Sequence, residues 1–325
     1  MNLKYIKKLI AHDMQAVKET IRHQLNSNIP LINQLIDYMI DSGGKHIRPI
    51  ITILAARAID HYSGKKHITM AALIEFIHTA TLLHDDVVDQ SEIRRGKYTA
   101  NITFGNAASV LVGDFIYTRA FQMMTSLGSL KVLDLLSKAV NVISEGEMLQ
   151  LLNCKNPNMT EEKYMNIIYS KTARLFEAAT QCSAILAEST AAQEQSLRDY
   201  GRYIGTAFQL IDDLLDYSAY NNKRFGKIIG SDLNEGKLTL PLLHAINHSS
   251  LEEANFIRSV IEKGNGRNFL KQILKIMNQH NSLEYTQLAA KKEANKAIYA
   301  LQVLPKSPWR NALEALANIL IQRTM

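Results

Sequence analysis

The sequence predicts an all-α fold, one large helical domain spanning residues 1–325. Three observations predict it. Apolar residues recur with helical spacing over nearly the whole chain. Gly and Pro, at 15 and 6 of 325 residues, are too few for a loop-rich β fold. No segment alternates polar and apolar residues between hairpin turns.

In chain order, the i, i+3, i+4, i+7 pattern marks helices near 3–25, 29–40, 47–61, 69–90, 106–126 and 131–153. It continues through 160–189, 195–218, 237–247, 251–263, 268–279, 284–302 and 308–323. The breaks fit the chemistry. Ser42-Gly43-Gly44 separates two helices, Gly64 ends another and Asn156-Pro157-Asn158 is a loop. Thr160 with Glu161 and Glu162 reads as an N-cap with an acidic first turn. Ser307-Pro308 reads as an N-cap with Pro at the first helical position. Ala71–Val88 and Ala107–Met124 are apolar almost all round, which predicts a place in the middle of the bundle.

Composition narrows the class. Hydrophobic residues make up 46% and charged residues 21%, the balance of a folded water-facing chain. The net charge of +6 points to an anionic partner. The basic residues gather beside acidic motifs rather than along one helix stripe, so nucleic-acid binding is not expected. Cys154 and Cys182 form neither a disulfide framework nor a zinc site. The first residues, Met1 to Leu9, lack a signal-peptide core, and no apolar run reaches the roughly 20 residues that span a bilayer. The expected location is the cytoplasm, with membrane contact limited to a peripheral one for product release.

Two clusters carry chemistry: Asp85-Asp86-Val87-Val88-Asp89 and Asp212-Asp213-Leu214-Leu215-Asp216. Both read D-D-x-x-D, and both lie in apolar helices. Residues four apart share a helix face, so Asp85 pairs with Asp89 and Asp212 with Asp216, Asp213 flanking the second pair. Like charges so placed repel, and burying them unpaired costs several kcal/mol, so a cation is required. Carboxylate oxygens suit Mg²⁺, which bridges one or two carboxylates to phosphate oxygens. A calcium loop is excluded, because the ligands sit in helices rather than in a 12-residue loop with a central Gly. Cations flank both clusters. Lys45 and Arg48 lie at a helix start, Arg94 and Arg95 past the first cluster, Lys171 and Thr172 inside a helix, and Lys227 and Lys237 after the second cluster. Gln209 shares the face of Asp212 and Asp216, and His78 that of Asp85. Arg and Lys bind phosphate by charge-assisted hydrogen bonds, so the set offers a metal-bridged and a direct phosphate site.

With these residues the chain resembles the trans-isoprenyl diphosphate synthases along nearly its whole length. The resemblance rests on Gly43-Gly44-Lys45-x-x-Arg48-Pro49, Leu82 to Asp89 with Arg94-Arg95-Gly96, and Val112-Gly113-Asp114. It continues in Ser170-Lys171-Thr172-Ala173, Phe208 to Asp216 and Asp232-Leu233-x-Glu235-Gly236-Lys237. His46 stands where the family usually has Arg, Leu238 where it has Pro, and Gly230-Ser231-Asp232 lacks one acidic residue often seen there. The resemblance implies a helical bundle around a central cavity, a homodimer, and Mg²⁺ held by Asp85, Asp89 and Asp212. It implies a prenyltransferase that adds isopentenyl diphosphate to an allylic diphosphate such as farnesyl diphosphate. Asp86, Asp213, Asp216 and Lys171 join the catalytic set. Arg94, Lys171, Lys227 and Lys237 would face the allylic diphosphate, and Lys45, Arg48, His78 and Arg95 the isopentenyl diphosphate, with Thr172 and Gln209 beside them. Product length would depend on Ile77, Ala80, Thr81 and Met123. Small Ala80 and Thr81 favour a forty-carbon product over fifteen or twenty carbons, a precursor of a quinone side chain. A terpenoid cyclase is disfavoured by the second aspartate cluster and the Lys45/Arg48 site. A non-catalytic partner subunit is disfavoured because both clusters are intact.

Overall fold

The computed structural model describes residues 1–41, 43–60, 62–218 and 230–322. The described residues are almost entirely helical. The first helices are α1 (Leu3–Leu9), α2 (Ala11–Gln24), α3 (Pro30–Asp41), α4 (Ile47–Arg57) and α5 (Lys66–Val88). A two-residue hairpin, β1 (Ile93–Arg94) and β2 (Lys97–Tyr98), leads to α6 (Ala100–Phe104), α7 (Asn106–Ser126) and α8 (Leu130–Asn153). Then come α9 (Glu161–Ile168), a π-helical turn at Tyr169–Ala173, α10 (Arg174–Leu186) and α11 (Ala191–Ser218). The last are α12 (Ser231–Glu235), α13 (Leu240–His248), α14 (Leu251–Lys263), α15 (Gly266–Gln279), α16 (Ser282–Ala300) and α17 (Pro308–Ile321).

One hydrophobic cluster runs from Ile6 to Leu320. Its centre is α5, packed on α4 and α7, and α11, packed on α10 and α16. Met70 to Ile74, Phe76, Ile77, Ala80 and Leu83 seal α5, and Tyr200, Ile204, Leu210 and Ile211 seal α11. Each such Leu or Ile contributes about 1.5–3 kcal/mol when fully buried, which offsets the cost of seating aspartates at the ends of these helices. The two caps read from sequence are present: Thr160 Oγ1 accepts from the Lys163 N–H and Ser307 Oγ from the Arg310 N–H. The structure adds a full capping box of Ser250 and Glu253.

The structure corrects several expectations. Segment 3–25 breaks at buried Ile10, whose ψ of 16° leaves the helical region. Segment 47–61 stops at Arg57, not near Gly64. The Ile59 N–H closes a tighter turn on Ala56 O, and the Arg57 side chain reaches Asp13 on α2. Segment 237–247 begins only at Leu240, where Pro241 in the first turn sets the helix start. The hairpin at 93–98 was not expected, because two-residue strands are too short to show alternation. Helix α7 is not central: Ala107, Val110, Leu111 and Phe121 form an exposed apolar stripe.

The π turn is the largest departure, since 160–189 reads as one uninterrupted helix. It is held from three sides. Glu177, fully buried, accepts from Tyr169 Oη at 2.9 Å, Arg174 Nη1 at 2.7 Å and Arg198 Nε at 3.0 Å. Glycines admit the flanking helices. A Cβ on Gly205 of α11 would stand 2.6 Å from Ala173 Cα, and one on Gly146 of α8 would stand 2.9 Å from Lys171 N.

Candidate active site

The end of α5, the π turn and the C-terminal half of α11 converge on one cavity of about 400 Å³. From α5 it receives His78, Thr81, Leu82, Asp85 and Asp89, and from α11 Phe208, Gln209, Asp212 and Asp213. The two aspartate clusters, far apart in sequence, therefore line the same space. The remaining two aspartates turn away from it. Asp86 is buried and accepts from Arg94 Nε at 3.0 Å and Arg94 Nη2 at 2.7 Å. Asp216 accepts from Ser231 Oγ at 2.8 Å and from the Asp232 N–H at 3.1 Å, which ties α12 to α11. Each therefore places a neighbouring element at the cavity wall.

The hairpin explains Arg94 and Arg95. Arg95 and Gly96 both have positive φ, 54° and 78°, which turns β1 back on itself. Arg94 then lies against Asp86, while the Arg95 guanidinium donates to Gly43 O and lines the cavity. Lys45 and Arg48 lie at the start of α4, behind His46 with φ of 48°. His46 Nδ1 is 3.0 Å from Glu75 Oε1. Arg48 Nη1 donates to His78 Nε2 at 3.1 Å, and its guanidinium lies 4.6 Å from the centre of the Phe176 ring. Among the described residues, Arg48 Nε is sealed from solvent with no hydrogen-bond partner. Burial lowers the Arg48 pKa to about 10. Burial and the nearby Arg48 hold His78 well below the usual histidine range, so its imidazole is neutral.

Across the site, each lysine joins two carboxylates. Lys171 Nζ is 2.5 Å from Glu147 Oε2 and 3.6 Å from Asp85 Oδ2. Lys237 Nζ is 2.6 Å from Glu235 Oε2 and 2.9 Å from Asp89 Oδ2. Burial alone would lower the Lys237 pKa, but Asp89 and Glu235 outweigh it and keep the ammonium charged. A relay spans the floor: Thr172 Oγ1 donates to Gln209 Oε1 (2.8 Å), Gln209 Nε2 to Asp213 Oδ1 (2.7 Å), and Tyr164 Oη to Asp213 Oδ2 (2.5 Å). Burial, reinforced by Asp232, pushes Asp213 up to about 8. Burial pushes Glu147 up to about 7, against the pull of Lys171. Burial, opposed by Lys171 and reinforced by Asp89, raises Asp85. Among the described residues no three His, Cys, Asp or Glu side chains already form a cation site. The donors are nonetheless all oxygen, desolvated and mutually repelling, which fits a hard divalent cation.

Of the residues singled out from sequence, Lys45, Arg48, His78, Thr81, Asp85, Asp89, Arg94, Arg95, Lys171, Thr172, Gln209, Asp212, Asp213 and Lys237 line the cavity. Ile77, Ala80 and Met123 are buried in the core and do not reach its wall. Lys227 lies outside the described residues. Sequence reasoning missed Glu75, Glu147, Gln150 and Tyr164. A signal for two of them existed: the inward row Leu136, Ala139, Ile143, Gly146 of α8 continues into Glu147 and Gln150, so an apolar face turns polar.

A model of the family described as polyprenyl synthetase matches residues 29–277, most of the chain. The chain belongs to the polyprenyl synthetase family. It is 65% identical to the octaprenyl diphosphate synthase of Escherichia coli over 323 residues, covering 99% of each chain. It is 54% identical over 323 residues to that of Haemophilus influenzae, covering 99% of this chain and 98% of the relative. Among solved structures, a decaprenyl diphosphate synthase from Rhodobacter capsulatus superposes with a TM-score of 0.94 at 42% identity, covering 99% of each chain. A polyprenyl synthase from Caulobacter crescentus, solved with calcium and isoprenyl diphosphate, also reaches 0.94 at 41% identity, over 100% of this chain and 98% of that one. The all-α isoprenoid synthase fold and prenyltransferase membership expected from the motifs hold. No helix among the described residues is long and apolar enough to cross a membrane.

Proposed function

We propose that this polyprenyl synthetase adds successive isopentenyl diphosphate units to farnesyl diphosphate, giving all-trans-octaprenyl diphosphate, a quinone side-chain precursor. The observation that carries the reading is the joint placement of Asp85, Asp89 and Asp212 with Arg48, Lys171 and Lys237 on one cavity. The 65% identity to an octaprenyl synthase supports the product length.

Asp85, Asp89 and Asp212 are the residues that would hold Mg²⁺, whose bound charge would stabilise the departing diphosphate. Arg94, Lys171 and Lys237 present fixed positive charge to the same leaving group. Charge that grows on diphosphate as the C–O bond breaks is stabilised more in the transition state than before it. Lys45, Arg48 and Arg95 hold the second diphosphate. Neutral His78 fixes the Arg48 guanidinium through Nε2. Two bound reactants so oriented replace a bimolecular encounter by an intramolecular one.

The reading also takes the chain as one domain, a homodimer, in the cytoplasm. Dimerisation is supported by the exposed apolar residues of α7 and by Met148, Leu149, Leu151 and Leu152 on α8. To test the function, labelled isopentenyl diphosphate is supplied with farnesyl diphosphate. Label should enter a polyprenyl diphosphate in Mg²⁺, and Asp85→Ala or Asp212→Ala should abolish incorporation. Undiminished incorporation by both variants would remove the metal assignment.

A further inference from the structure

Glu147 and Asp85 compete for one ammonium. Lys171 Nζ sits 2.5 Å from Glu147 and 3.6 Å from Asp85, so the lysine is parked on the glutamate. The backbone beneath it is fixed. Gly146 lets α8 touch the π turn at Ser170 and Lys171, and Tyr169 is anchored on buried Glu177. Lys171 therefore chooses between carboxylates by its side chain alone.

We propose that Glu147 is a positioning residue: it holds the Lys171 ammonium off Asp85 and so keeps that carboxylate available to a divalent cation. The proposal rests on the prenyltransfer reading above. Without Glu147, Asp85 is the carboxylate nearest to Lys171. A Lys171–Asp85 ion pair in a partly desolvated site must then be broken before a cation binds. Lys237 makes a contrast: it bonds Glu235 at 2.6 Å and Asp89 at 2.9 Å together, so its glutamate does not hold it away from the motif aspartate. Glu147 thus acts as a resting place for a lysine that serves the diphosphate once substrate arrives. Lysine suits the task, being a compact charge on a flexible stem with three donors.

The test uses Mn²⁺ as a paramagnetic probe on the full-length protein without substrate, together with the Mg²⁺ half-saturation of elongation. Glu147→Ala should weaken Mn²⁺ binding and raise the Mg²⁺ requirement about tenfold. The rise in Mg²⁺ half-saturation should exceed the fall in kcat at saturating Mg²⁺, the split expected of a group that acts through cation binding. Loss of a negative charge could by itself weaken cation binding, so the decisive comparison is made in Lys171→Ala. There, adding Glu147→Ala should produce no further weakening. An equal weakening in that background, or unchanged Mn²⁺ binding in the single variant, overturns the proposal. Glu147→Gln, which keeps the shape and one acceptor oxygen, should fall between parent and Glu147→Ala, and it serves if the alanine variant does not fold. A parent protein that shows this Mn²⁺ pattern but never elongates overturns the functional reading instead.

Discussion

Lys237 Nζ lies 2.9 Å from Asp89 Oδ2, tying the segment after the second aspartate cluster to the end of the first across 148 residues. The bond closes the cavity's rim with a positive charge whose neighbours keep it protonated. Removing it exposes Asp89 to repulsion from Asp85 and takes a cation from the leaving group. Lys237→Ala should lower kcat/KM for condensation about a hundredfold, the scale of losing one preorganised electrostatic donor. Lys237→Arg should restore part of it. Steady-state kinetics with farnesyl diphosphate check this, and a loss under threefold would place Lys237 outside the machinery.

Gly146 is the contact through which α8 meets the π turn. A Cβ there stands 2.7 Å from Ser170 Cβ and 2.9 Å from Lys171 N, and the second neighbour is backbone that cannot swing aside. Gly146→Ala should cost about 1–3 kcal/mol of stability from overpacking. It should also displace Lys171 and lower kcat more than it raises KM. Chemical denaturation and kinetics on the same preparation separate the two effects.

Product length should respond to Thr81 ahead of Ala80. Thr81 opens on the cavity, whereas Ala80 is fully buried. Thr81→Phe should shorten the product with the fold intact. Ala80→Tyr should shorten it as well, with about 1–3 kcal/mol lost to overpacking. Mass analysis of the polyprenyl products decides. Unchanged length in both folded variants would move the determinant elsewhere.

Stability should depend on Asp13, away from the cavity. Asp13 is buried and accepts from Arg57 Nε and Nη2, both at 2.9 Å, with His67 Nε2 at 3.3 Å. Burial alone would raise its pKa, but hydrogen bonds and charge from His67 and Arg57 outweigh it and pull it below the usual carboxylate range. A depressed carboxyl contributes stability above its unfolded pKa of about 4 and loses it as pH falls below that value. Asp13→Asn should therefore cost about 3 kcal/mol at neutral pH and progressively less in acid. Denaturant midpoints from pH 7 downward check the sign. A constant difference would mean that the charge of Asp13 contributes nothing.

The helices and the two aspartate clusters were legible because helical period and i, i+4 geometry are local properties. The same logic placed Gln209 on the face of Asp212. What the sequence did not reveal depends on contacts between elements. The π turn leaves no mark in Tyr169 to Ala173 themselves; it follows from Glu177, Gly146 and Gly205 pressing on that segment. Asp86 and Asp216 look like their motif partners, but Arg94 and the start of α12 claim them. Glu147 was not singled out, although its place after Ile143 and Gly146 marks it as inward-facing.

The central claim is that this cavity builds one long polyprenyl chain with divalent metal. The most direct measurement is the mass of the products made from farnesyl diphosphate and excess isopentenyl diphosphate, with Mg²⁺ and with chelator. The account predicts a single forty-carbon all-trans product in Mg²⁺ and none with chelator. A mixture of short products, or elongation that persists without metal, would contradict it.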